Sequence, residues 1–177
     1  MENNKEFIEI LKNNLTDTNH ELVGDYFYEW KIENWSKISN ETCVCSPYFE
    51  AYGHRWKLEL YPKGVDDFYN EYVSLYLNRD NEKDDCGVHI PVNRVFFIRN
   101  YNDKYCYRSA TLPIEYLSKS IPSCGHPNLI KKTELFTKTQ YSNKPLIENN
   151  KCIVGVYFQI YKKEQGLFYI YIYINIK

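Results

Sequence analysis

Glycine is scarce in this chain, with seven in 177 residues, and the seven stand apart from one another. No glycine-rich loop of the Walker kind exists to cradle a phosphate, and no G-x-S-x-G elbow presents a serine nucleophile. H-E-x-x-H is missing, as are C-x-x-C and H-x-x-x-H pairs, which removes the usual zinc signatures. Neither sign of charge is in excess: 22 Lys and Arg stand against 23 Asp and Glu, for a net charge of -1. Such balance creates no broad field for nucleic acid or an anionic membrane, so neither is expected as a partner. No uninterrupted apolar run is long enough to span a bilayer. The opening stretch, MENNKEFIEILKNNL, has neither the apolar segment nor the small-residue cleavage site of a secretory signal. The expected setting is the cytoplasm or nucleus, where thiols stay reduced.

Of the six cysteines, Cys43, Cys45, Cys86, Cys106, Cys124 and Cys152, only the first two are close in sequence. Read as an extended pair, these two are expected to point apart and to chelate poorly. No metal and no cofactor is expected; idle or buried thiols are the simpler reading. What is abundant is tyrosine, with 18 residues, alongside much asparagine, lysine and isoleucine. All four have AT-rich codons, so the tyrosine excess is not by itself a binding signal. Hydrophobic content of 44% and charged content of 25% are ordinary for a globular domain, and a chain of this length can build a single core.

Glu6 to Leu15 is the one good amphipathic helix candidate, with Phe7, Ile8, Leu11 and Leu15 at helical spacing. It is expected to pack loosely on the rest, with weak self-association as the alternative, because short isolated helices are marginal in water. From Tyr26 onward the period changes to two. Tyr26, Tyr28, Trp30 and Ile32 alternate with Phe27, Glu29 and Lys31; Trp56, Leu58 and Leu60 alternate with Arg55, Lys57 and Glu59. Gly53-His54 reads as a tight turn, and Pro62 with Gly64 stops a strand. Tyr72 to Leu77 is a strand, Asn78 to Asp85 a charged loop, and Val88 to Arg99 a strand in which Pro91 suggests a bulge or an edge. Tyr105 to Leu112 and Ile153 to Tyr161 complete the strands, and Leu129 to Leu135 reads as a helical turn or loop. Many short strands separated by turn signals indicate an all-β antiparallel sandwich. In the tail GLFYIYIYINIK, Tyr and Ile alternate as a TATATA repeat would encode them. Residues 164–177 are therefore read as a low-complexity tail, and as an aggregation hazard if exposed.

The ordered segments carry more than any one of them. Tyr28, Trp30, Ile32, Asn34, Trp35 and Ser36 fill an F-x-W-x-I-x-N-F-S pattern. Ser46, Phe49, Gly53, Trp56, Leu58, Leu60, Pro62 and Gly64 fill S-x-x-F followed by G-x-x-W-x-L-x-L-x-P-x-G, and Tyr72 to Leu77 reads YVSLYL. In this order the segments resemble a MATH domain over roughly residues 25–163, preceded by a helical extension over 1–24. The resemblance implies a TRAF-like β-sandwich of about eight strands. It also implies an adaptor-like, non-catalytic module that binds short linear peptide motifs in a shallow groove, in some relatives linked to the ubiquitin pathway through other segments.

The family's groove residues carry over position by position. Tyr76 matches the second tyrosine of YVSLYL. Ungapped spacing from the family's W-G pair lands on Tyr116 for a second groove aromatic. The family's aromatic at the start of the VFFIRN strand is Arg94 here. The polar residue before the W-G pair is Ser123, the pair itself is Cys124-Gly125, and the aromatic after it is His126. Tryptophan is a large rigid binding wall and cysteine a small one, so relatives' ligand preferences should not transfer. Arg94 could pair with an acidic or phosphorylated ligand, although a solvated strand arginine is the commoner case. Tyr76 reads equally as a half-buried strand residue, Cys124 as a small buried hydrophobe, and His126 as an exposed loop histidine. A catalytic Cys124-His126 pair lacks an orienting group, so no enzyme is expected. A carbohydrate-binding sandwich, or a degenerate copy without a ligand, is the alternative. The carbohydrate reading needs coplanar exposed aromatics, whereas the resemblance puts Trp30, Trp35 and Trp56 in the core.

Overall fold

The computed structural model describes residues 4–15, 19–80, 89–139 and 142–162. Its elements in chain order are α1 (Lys5–Lys12), β1 (Leu22–Ile32), α2 (Trp35–Ile38), β2 (Val44–Cys45), β3 (Phe49–Ala51), β4 (His54–Tyr61), β5 (Tyr72–Arg79), β6 (Ile90–Asn100), β7 (Tyr107–Leu117), β8 (Ser123–Lys131), β9 (Lys138–Thr139), β10 (Ser142–Pro145) and β11 (Cys152–Tyr161). Eight of the strands make two antiparallel sheets, ordered β1-β11-β6-β7 and β2-β4-β5-β8, with β3 also paired to β4 and β9 with β10 as a separate ribbon. The sheets face each other across one core, as a sandwich requires. The period-two pattern of β4 and β5 explains their side: Trp56, Leu58, Leu60, Val73, Leu75 and Leu77 are fully buried, and all belong to that core.

The continuous apolar runs VFFI and CIVGVYF have a different cause. The central strands β6 and β11 are covered on both faces, so alternation disappears. Val92, Phe96, Ile98, Val154, Val156 and Phe158 face the other sheet. Val95, Phe97, Ile153 and Tyr157 face outward, onto Phe7 and Leu11 of α1. The Phe7 ring lies edge-on to Phe97 at 5.1 Å and to Tyr107 at 5.2 Å. Phe7 and Leu11 are both 0% exposed, and burying such side chains is favourable by about 1.5–3 kcal/mol each. The helix is thus docked firmly, contrary to the loose packing its length suggested. Its apolar face is taken up by the first sheet, and so does not offer itself to a second copy.

Other sequence expectations are adjusted locally. The β3–β4 turn is centred on Tyr52 (φ 53°) and Gly53 (φ 78°), one residue earlier than expected; positive φ at both positions is what the type I′ form of a two-residue hairpin needs. Pro91 sits in β6, which has neighbours on both sides. Its missing N–H is tolerated because pairing with β11 begins only at Val92. The irregularity lies just beyond it, between Val92 and Arg94 on the β7 side. Ser123 to Lys131 is a strand, and only residues 132–134 form the helical turn expected over Leu129 to Leu135. β7 runs on to Leu117, five residues past the Leu112 expected to end it. Cys86, most of the charged loop and the Tyr/Ile tail lie outside the described residues.

Candidate functional site

β7 and β8 are the last strands of their sheets and run close to each other on one side of the sandwich. Among the described residues β8 pairs with β5 and with no strand beyond it. Its second flank therefore presents main-chain groups that a further strand could use. Six of the seven sequence-derived positions gather on this side.

Tyr76 and Gly125 are direct partners across β5 and β8, on the face of the second sheet turned away from the core. The ring of Tyr76 lies flat over Gly125. A Cβ at position 125 would stand 2.5 Å from Tyr76 Cε1 and closer still to Cγ and Cδ1. Glycine is therefore needed there for room, not for backbone freedom. Ser123 pairs with Asn78 on the same face. Next to Tyr76, Tyr61 of β4 packs edge-on at 5.6 Å and 74°. The Lys57–Glu59 ion pair (2.9 Å) extends this shelf along β4. Burial pushes the Tyr76 hydroxyl up, and the charges of Asp66, Tyr69 and Glu115 add to it. Asp66 also lines a cleft of about 640 Å³ together with Lys131 and Lys132, at the C-terminal end of β8.

Cys124 and His126 point the other way, toward the core, opposite Leu77 and Leu75. Arg94 meets them from β6, where its partner Phe158 also faces inward. It is 0% exposed, not solvated as sequence suggested. Its guanidinium donates to Glu115 Oε1 at 2.6 Å and to the Pro113 carbonyl at 2.7 Å. Arg94 Nε and His126 Nδ1 are buried without a hydrogen-bond partner among the described residues. Burial pushes the Cys124 thiol up to about 12, against the pull of Arg94. Burial, then the Arg94 charge, pushes His126 below the usual histidine value. Cys124 is therefore an inert thiol and His126 a neutral ring in a strand, not an exposed loop histidine. No nucleophile–base pair results, because the thiol holds its proton and no group orients the imidazole.

Tyr116 is set apart. It pairs with Pro91 on the outer face of the first sheet, and its hydroxyl lies 3.1 Å from His20 Nε2. Its neighbour Glu115 turns toward Arg94, one position before the Tyr116 that the ungapped count selects. Sequence reading missed Glu115, and it missed Tyr61. The alternation of β4 could have found Tyr61, which continues the wet face of Arg55, Lys57 and Glu59. Cys43 and Cys45 do not point apart: Cys45 stands opposite Glu59 on the outer face of β4, and Cys43 shares that face. Residues two apart on extended backbone share a face. Among the described residues no group of three or more His, Cys, Asp or Glu could hold a metal ion, and no helix is long and apolar enough to cross a membrane.

The sequence profile of the family described as MATH domain matches residues 27–158. The chain belongs to that family. A MATH domain and coiled-coil domain-containing protein of Arabidopsis thaliana is 29% identical to it over 109 residues. That match covers 61% of this chain and 35% of the relative, so the chain spans about a third of the relative's length. Among solved structures, TRAF5 of Notothenia coriiceps superposes with a TM-score of 0.61 at 17% identity, covering 80% of this chain and 76% of that one. At that identity the likeness speaks for the fold alone. MATH and TRAF domains are generally non-catalytic protein-interaction modules.

Proposed function

We propose that this MATH domain is a peptide-recognition module whose ligand lies as an added strand along β8, with one side chain resting on the Tyr76–Tyr61 shelf. The observation that carries this reading is the Tyr76 ring lying over Gly125 of a strand that, among the described residues, is unpaired on its outer flank. Main-chain hydrogen bonds to β8 would supply affinity, and the shelf would supply selectivity. Arg94 is committed to Glu115 and Pro113, so it is not offered as a receptor for phosphate. Arg94, Cys124 and His126 stand at positions where the family has aromatic walls, and Glu115 is bonded to Arg94. The ligand class is accordingly a peptide without a large aromatic anchor. Affinity of a single small module should be on the order of micromolar or weaker, raised by avidity when several copies act together.

The carbohydrate alternative loses ground. Trp56 and Trp35 are 0% and 4% exposed, and Tyr61 and Tyr76 meet nearly at right angles instead of forming a flat platform. A proteome-derived peptide display screen tests the proposal, run in parallel on Tyr76→Ala and Cys124→Trp variants. A shared motif lost in Tyr76→Ala and altered in Cys124→Trp is the expected result. No enrichment from a folded protein, or a motif indifferent to Tyr76, would overturn it.

A further inference from the structure

Two sulfurs sit at the surface of the second sheet, on the opposite edge from β8. Cys43 and Cys45 are both exposed, while Cys106, Cys124 and Cys152 are buried. Cys43 immediately precedes, and Cys45 closes, the two-residue strand β2, which among the described residues pairs only with β4. Cys45 stands opposite Glu59 in the β2–β4 register, and Cys43, two residues before it, falls on the same outer face of the sheet as Tyr61. Lys57 reaches over from β4, its Nζ 3.7 Å from Cys45 Sγ, while also holding Glu59 at 2.9 Å. Two accessible thiols on one face, one of them beside an ammonium, form the arrangement that thiol–disulfide exchange requires: an attacking sulfur and a resolving one.

We propose that Cys43-Val44-Cys45 is a thiol–disulfide exchange site that reacts with low-molecular-weight disulfides of the glutathione type and closes to an internal disulfide. Cys45 loses its proton to solvent, and its sulfur attacks one sulfur of the incoming disulfide. That S–S bond breaks, a new one forms to Cys45, and the first small thiolate leaves and takes up a proton. Cys43, deprotonated in turn, attacks the Cys45 sulfur. The Cys43–Cys45 bond forms and the second small thiol departs. Two protein thiols are oxidised and one small disulfide is reduced to two thiols. Cys45 is the attacking residue because its sulfur is the one within 3.7 Å of the Lys57 ammonium. Cys43 is the resolving one because partial burial holds its thiol above the ordinary cysteine value, against a hydrogen bond from Tyr61 that favours the thiolate.

The backbone sets the character of the product. Residues two apart on a strand have Cα atoms about 6.6 Å apart, near the upper limit of about 6.8 Å for a disulfide. The bridge is therefore strained and readily reduced, as a reversible link should be and a structural staple should not. A strand of two residues held from one side can yield enough to form it.

The test uses the full chain in buffers of graded oxidised-to-reduced glutathione ratio, followed by alkylation of free thiols, digestion and mass mapping. Expected is a Cys43–Cys45 linkage, with loss of two hydrogens, that reverses on reduction, while Cys106, Cys124 and Cys152 stay reduced. Cys43→Ser should leave glutathione trapped on Cys45, and Cys45→Ser should abolish the linkage without trapping it on Cys43. Circular dichroism confirms that each variant is folded. No Cys43–Cys45 linkage at the most oxidising ratio would overturn the proposal. So would first attachment of glutathione at Cys43, or preferential linkage of either sulfur to Cys86.

Discussion

Gly125→Ala is the sharpest probe of the shelf. The added Cβ would stand 2.5 Å from Tyr76 Cε1, where ordinary contact begins at 3.4 Å. The ring must therefore recede by about an ångström or more. The closest atoms include Cγ, at the root of the ring, so rotation about the outer bond does not relieve the clash. Overpacking of this kind costs about 1–3 kcal/mol. In a Tyr76→Ala background the obstruction is gone. Alanine should then be better than glycine in a strand by about 0.5–1 kcal/mol. The coupling between the two substitutions is thus about 1.5–4 kcal/mol, well above the near-additivity of residues that do not touch. Urea denaturation followed by tryptophan emission measures it, since Trp56 and Trp35 are buried and report global unfolding. An equal cost of Gly125→Ala in both backgrounds would refute the reasoning. Where the coupling is found, Gly125→Ala alone should also weaken peptide binding in a protein that remains folded.

The Arg94–Glu115 pair should be asymmetric: Arg94 is fully buried and the Glu115 side chain is 42% exposed. Glu115→Ala leaves a buried charge with only the Pro113 carbonyl and should cost about 3 kcal/mol, whereas Arg94→Met should cost distinctly less; urea midpoints decide between them. His126 is held neutral in the fold, with its pKa depressed by burial and by Arg94. Below its unfolded value of about 6.5 the unfolded chain binds the extra proton, so stability falls as pH drops from 7 towards the depressed folded value. His126→Gln should flatten the dependence of the melting temperature on pH over that window. Phe7→Ala should lower stability by about 3 kcal/mol if α1 unfolds together with the sandwich, a loss that thermal unfolding would read.

Much of the fold was legible because its cause is local. Trp56, Leu58 and Leu60 alternate with charges, and that alternation alone assigns β4 and its buried side. The docking of α1 was not legible, since nothing in VFFI says which of two buried faces meets a helix and which meets a sheet. The site shows the same division. Tyr76 follows from its place in YVSLYL, but its contact with Gly125 depends on strand register, which one chain does not display. Tyr116 and Glu115 are the clearest case. Between Val92 and Arg94 the β7 partner advances by three residues, from Glu115 to Leu112, and a slip of one residue exchanges the faces of a strand. Counting along the sequence therefore arrives one position away from the side chain that meets Arg94.

The pairing of Leu22 with Tyr161 has an architectural consequence. The polypeptide enters and leaves the sandwich on adjacent strands, at one corner. That corner lies on the far edge of the first sheet from β7, three strand spacings or about 14 Å away. Segments tethered before α1 and after β11 would not share an attachment point: Leu22 meets Tyr161 at one end of β1, whereas Asn4, ahead of α1, donates to Glu29 towards the other. A segment tethered after β11 would leave the sandwich beside β1, on the opposite edge of the first sheet from β7 and the neighbouring β8.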